Sequence, residues 1–332
     1  MLVVICVFGI MGFFTMGNRT WEAISQMRIR YIFLACALGV SSISIEGMIL
    51  QILSRTASDT KVNFFYSVKS ILCFIFLSAI TPTVTGGEPL MIYMLNQKGI
   101  TVGKATSITI IRGLVIVATL AIAAPIIIYF HGDIIQYSIL KNLFRYIAIL
   151  LFLVVSFFVY SFFNPLKGEE LVHKVCFWME NHKILNRYFK KLDKRLKTWI
   201  EDLGSTLKCF FKYKKKTLVG VIILSCISAS SSYLIAYAIL KGLNFDVPIL
   251  RILMIQVVLH FLLYFTPTPG GTGIAEAGFC AMFASSLPTH LLGIFVILLR
   301  FFTTYIWVIV GGGLITRTIG LDLLDKISSS QG

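Results

Sequence analysis

Seven apolar runs, each long enough to form a membrane helix, recur along this chain, and no other property restricts its fold as tightly. A helix rises ~1.5 Å per residue, so roughly 17 to 25 apolar residues cover a hydrocarbon layer ~30 Å thick. The runs fall at 31–53, 63–80, 105–130, 146–163, 217–240, 249–265 and 288–316. With 57% hydrophobic and 14% charged residues and a mean hydropathy of +0.86, the chain carries more apolar side chain than a soluble core of this length can hide. The expected fold is all-α, a polytopic integral-membrane helical bundle. A shorter apolar run, Met1 to Met16, has no basic n-region and no small-residue cleavage site, so it reads as a first membrane helix rather than a signal peptide.

Charge is concentrated. Of the 30 Lys and Arg residues behind the formal net charge of +15, fourteen lie between Asn164 and Lys216, against six acids. The positive-inside rule places that loop in the cytoplasm of a protein of the cell membrane. Within it Leu185, Tyr188, Phe189, Leu192, Leu196, Trp199, Leu203 and Leu207 recur at helical spacing with basic residues between them. That pattern describes a basic amphipathic helix on the inner leaflet, with anionic phospholipid as its partner and topology as its minimal role. Nucleic acid is not indicated, because no folded soluble module accompanies the charge.

Catalytic signatures are missing. The seven cysteines are scattered without a CxxC pair and read as packing residues, so neither a disulfide nor a metal site is expected. His260, well inside an apolar run, reads as a hydrogen-bonded structural residue. No HExxH, GxSxG, P-loop or Rossmann fingerprint occurs, so no cofactor and no enzyme activity are expected.

Two interruptions of the apolar runs resemble each other. Residues 81–89 read TPTVTGGEP and residues 266–278 read TPTPGGTGIAEAG. Each opens Thr-Pro-Thr (Thr81 to Thr83, Thr266 to Thr268), continues with a glycine pair (Gly86 and Gly87, Gly270 and Gly271) and reaches an acid, Glu88 or Glu276. Twenty-four residues beyond each acid stands an arginine in the next apolar run, Arg112 or Arg300. The doubled order marks an internal repeat. Broken backbone at membrane depth survives only where protein buries it or water reaches it, so the breaks point inward, as broken or re-entrant helices. Charges there must pair or face a polar cavity. Glu88, Arg112, Glu276 and Arg300 are therefore expected to form one polar network, with Glu46 and Lys69 as weaker members; the plain alternative for each is an ion pair that fixes packing. Breaks that cross the membrane are expected to give inverted copies, and breaks that turn back, parallel ones. The chain divides into a first membrane half (1–163), a basic linker (164–216) and a second membrane half (217–332).

In this order of motifs the chain resembles the flippase-like membrane domain of the lysylphosphatidylglycerol synthase family, from about Trp21 to Ile319. PGGTGIAE at Pro269 to Glu276, LLRFFTTYIWVIVGG and TPTVTGGEPLMIYML carry the likeness. Family members often have an acid just before the first arginine and another three residues after it; this chain has Ile111 and Val115. In two-domain members the resemblance implies a cytosolic aminoacyl-transferase domain after the membrane part; here the chain stops at Gly332, so synthase activity is not implied. What the resemblance implies is movement of a lipid or lipid-linked anionic head group, an anionic phospholipid or polyprenyl-linked lipid, between leaflets. The residues agree, since the forked donors of Arg112 and Arg300 suit phosphate and Glu88 and Glu276 would orient them. A homo-oligomer is compatible with the sequence. The other classes open to it are an auxiliary subunit that presents lipid to a separate transferase and a small-solute transporter.

Overall fold

The computed structural model describes residues 27–58, 60–81, 84–130, 194–264, 266 and 268–329. Among these residues the regular elements are all helical: α1 (Ile29–Ala57), α2 (Phe64–Ile80), α3 (Glu88–Gln97), α4 (Val102–Phe130), α5 (Lys194–Lys208), α6 (Lys215–Gly242), α7 (Ile249–Tyr264), α8 (Ile274–Phe283), α9 (Thr289–Arg300) and α10 (Ile306–Ser329). Lipid demands this, because a helix satisfies its backbone N–H and C=O groups within the segment. The runs expected at Met1 to Met16 and 146–163, and the linker before Lys194, lie outside the described residues.

Among the described residues, four helical stretches are long and apolar enough to cross a membrane: α1, α4, α6 and Thr289–Arg317. The last is α9 continued through one π-helical turn, Phe301–Tyr305, into α10. The chain is a multi-pass membrane protein. By contrast α2 and α7 have 17 and 16 residues, which span only about 25 Å. Each stops at its Pro/Gly break, and a ten-residue helix, α3 or α8, follows.

Those short helices run back along the ones before them. Tyr66, early in α2, donates its hydroxyl to Met94 O near the end of α3, at 2.8 Å. Arg251, early in α7, donates Nη2 to Ser285 Oγ just beyond α8, at 3.1 Å. The two hairpins open toward opposite ends of the bundle. α1 and α6 lie antiparallel, with Ser42 and Ser228 hydroxyls donating to each other's carbonyls at 3.1 and 3.2 Å, and with Met27 and Tyr31 packed on Gly242. The α2 hairpin is tied to the far end of α1, where Gln51 Nε2 donates to Val62 O at 3.0 Å. The α7 hairpin starts from the end of α6.

Each hairpin has its own core. Ile71, Met91, Leu95, Ile108 and Phe210 belong to one buried cluster, and Ile239, Leu259, Phe283, Phe295 and Leu299 to the other. Among the described helices only α4 and α6 supply more than one buried residue to both clusters, so these two helices join the halves. α10 closes over α2 at Gly311, where a Cβ would overlap Leu72 O, the small-residue contact that lets membrane helices approach closely.

Candidate functional site

The first break is shaped by crowding. Thr81 ends α2 by directing its N–H and Oγ1 to Leu77 O, at 3.1 and 2.7 Å. Val84–Gly87 then form one 3-10 turn. A Cβ on Gly86 would overlap the Thr81 side chain, and one on Gly87 would overlap Ser78 Oγ. α3 begins at Glu88 with Pro89 beside it, where the missing N–H of proline leaves no helical bond unmade. The Glu88 carboxylate thus sits at the positive end of the α3 dipole.

The second break is shaped by left-handed backbone. Gly270, Gly271 and Gly273 have φ of 59°, 70° and 88°, a region that costs other L-residues roughly 1–2 kcal/mol each. Gly271→Ala should therefore lower stability by about 1–2 kcal/mol, read as a reduced Tm in detergent; an unchanged Tm would contradict the assigned turn. Glu276, in the first turn of α8, reaches back to accept the Gly273 N–H at 2.5 Å, half of a capping box.

The two arginines have different surroundings. Arg300 is enclosed: Nε donates to Glu276 Oε1 at 2.9 Å, Nη2 to Gly270 O at 2.8 Å and Nη1 to Thr304 Oγ1 at 3.3 Å. Tyr305 donates its hydroxyl to Glu276 Oε1 at 3.3 Å, and its ring lies against the guanidinium. The Arg300 and Glu276 side chains are 8% and 4% exposed. All three guanidinium nitrogens are committed to holding the second break onto α9.

Arg112 is more open. Nε and Nη2 both donate to Glu46 Oε2, at 3.1 and 2.9 Å, and the guanidinium rests on the Phe74 ring with 4.7 Å to its centroid. Nη1 makes no hydrogen bond among the described residues. Glu46, on α1, thus supplies the counter-charge that the sequence pattern assigns to Glu88. Glu88 is half-buried and has no ion-pair partner within 4.0 Å among the described side chains. Its Oε1 and the Tyr264 hydroxyl both lie within 4 Å of where a Cβ on Gly113 would stand, so α3, α4 and the end of α7 converge there.

The breaks themselves meet. Turn Val84–Gly87 touches turn Pro269–Gly271, and Gly270 packs on the backbone of Ala79 at the end of α2. Two hydroxyls near this junction, Ser78 Oγ and Thr268 Oγ1, are buried without a hydrogen-bond partner among the described residues. In place of the expected single network, the described residues form two pairs, Glu46–Arg112 and Glu276–Arg300, with no direct bond between the pairs among those residues. Lys69 is half-buried on α2 and joins neither pair. His260 donates Nδ1 to Gln256 O at 2.9 Å and packs between Tyr233 and Phe279. Phe74, Tyr264, Thr304 and Tyr305 also border these charges and were not singled out by sequence reasoning; no spacing rule marks them among so many apolar neighbours.

Two comparisons bear on this arrangement. A membrane protein of Archaeoglobus fulgidus, described as a UPF0104 membrane protein, is 25% identical over 306 residues, covering 91% of this chain and 90% of that one. The family described as the lysylphosphatidylglycerol synthase TM region matches residues 1–311. Both hairpins, both charge pairs and the seam between them fall inside that match, and the chain belongs to the family of the lysylphosphatidylglycerol synthase transmembrane region.

Proposed function

We propose that this protein moves a lipid, or a lipid-linked anionic head group, between leaflets along the polar seam where its two hairpins meet. In this reading the hairpins are re-entrant, enter from opposite membrane surfaces and constitute an inverted repeat. α4, the apolar run expected at 146–163 and α6 would then supply three crossings between the hairpins, so that copies which turn back are inverted rather than parallel. Inverted repeats with discontinuous helices are the usual setting for a transport site at the bilayer midplane.

The observation that carries the proposal is the inequality of the arginines. Arg300 spends its donors on protein, whereas among the described residues Arg112 has no partner for Nη1 and the nearby Glu88 has no ion-pair partner. A guanidinium so placed takes a phosphate oxygen through a charge-assisted hydrogen bond while Glu46 holds it in orientation. Glu88 accepts from head-group hydroxyls, and Ser78 and Thr268 offer further polar partners. The sequence holds no nucleotide-binding motif, so transport in this account is passive or ion-coupled.

A head-group-resolved assay in reconstituted vesicles tests this. Translocation of a labelled phosphatidylglycerol should be accelerated over protein-free vesicles, and more than that of a labelled phosphatidylcholine. No acceleration with correctly inserted protein would sink the flippase reading, and lipid exchange only with a co-purified transferase would replace it with the auxiliary-subunit reading.

A further inference from the structure

The basic linker is fastened to the helix that carries Arg112. At the head of α4, Thr101 Oγ1 just before the helix donates to Asp202 Oδ2, Thr106 Oγ1 accepts Trp199 Nε1 at 3.3 Å, and Ser107 Oγ donates to Leu203 O at 3.2 Å. Between them Gly103 lies so close to α5 that a Cβ would stand 2.5 Å from Trp199 O and 2.6 Å from Asp202 Cβ. Arg112 is five residues beyond Ser107 on the same helix, about 7.5 Å along its axis.

The other end of α5 leads to a charged surface. It continues through a π-helical turn, Cys209–Tyr213, whose Phe210 is fully buried in the α2–α3 core while Lys212, Tyr213, Lys214 and Lys216 are exposed. No acid interrupts Lys212 to Lys216. The membrane-crossing helix α6 starts at Lys215, which puts these ammonium groups at the level where a bilayer presents its phosphates. Exposed Tyr213 suits the same interfacial level.

We propose that the Lys212–Lys216 turn is a docking surface for anionic lipid head groups, and that the α5–α4 seam transmits its occupancy to the helix bearing Arg112. The chemistry favours a lipid surface over a soluble polyanion, since the charge is fixed at the membrane end of a spanning helix. The inference does not depend on transport, because both the docking and the transmission have readouts of their own.

The test uses the whole protein in nanodiscs of phosphatidylcholine alone or mixed with phosphatidylglycerol, followed by hydrogen exchange over residues 102–115. Phosphatidylglycerol should slow exchange there by about fivefold or more, the scale of an ordinary coupling between sites. Raised salt should erase the difference in the unmodified protein. The triple variant Lys212→Gln, Lys214→Gln, Lys216→Gln should lose both the slowing and the preferential retention of phosphatidylglycerol seen by native mass spectrometry. Thr101→Val with Trp199→Phe should keep the retention but lose the slowing. Identical exchange in the two lipid mixtures for the unmodified protein would overturn the transmission; undiminished retention in the triple variant would overturn the docking surface.

Discussion

Replacing Glu276 by alanine should cost this protein roughly 3–5 kcal/mol, the range for removing one partner of a buried ion pair. Arg300 would keep its charge inside the bundle with Gly270 O, Thr304 Oγ1 and the Tyr305 ring beside it but no carboxylate among the described residues. The Gly273 N–H would lose its acceptor as well. The expected result is a large fall in Tm in detergent and in the yield of monodisperse protein. Adding Arg300→Met should restore much of that loss, because an uncharged pair has no buried charge to compensate. Wild-type stability for the single variant would show that the pair does not hold the second hairpin. The same argument assigns Arg300 to architecture, so Arg300→Ala is expected to lower stability before it can report on transport.

Arg112→Ala has its expected effect elsewhere. A charge-assisted hydrogen bond to a phosphate is worth about 1.5–3 kcal/mol, so head-group translocation should fall by roughly tenfold to a hundredfold. The Glu46 and Arg112 side chains are 16% and 11% exposed, so the fold should tolerate the change better than it tolerates loss of Glu276. Arg112→Lys should recover only part of the rate, since an ammonium cannot hold Glu46 and phosphate with one planar fork. Initial rates per reconstituted protein decide this; Arg112→Ala at the wild-type rate would remove Arg112 from the proposed role.

Much of the architecture is legible in the sequence because lipid leaves few options. Long apolar stretches had to be helices, and their limits at α1, α4, α6 and α9–α10 fall close to the runs seen in the chain. The runs at 63–80 and 249–265 form helices of 17 and 16 residues, and after each the chain doubles back along it. Hydropathy cannot distinguish a crossing from a hairpin, since both bury the same side chains.

The charge pairing was half legible. Glu276 and Arg300 meet as their 24-residue spacing suggests, but Glu88 and Arg112 share that spacing and do not pair. The reason lies between the glycines and the acids. Glu88 follows Gly87 directly and becomes the first residue of α3, whereas Thr272 to Ala275 separate Gly271 from Glu276 and make it the third residue of α8. The same acid therefore projects from a different point of its helix. Glu46 lies 66 positions from Arg112, and only the packing of α1 on α4 reveals it as the partner. The absence of acids at Ile111 and Val115 is met by that more distant carboxylate.

The account rests on a hydrated route between the two hairpin tips. Ser78→Cys, introduced into a cysteine-free background, puts a thiol beside Gly87 at that junction. A membrane-impermeant thiol reagent should label it in reconstituted protein, and phosphatidylglycerol should slow the labelling more than phosphatidylcholine does. A thiol that stays unreactive in both lipids, while an exposed cysteine at Lys214 reacts readily, would mean that the tips pack into a dry core and that no head group passes between them.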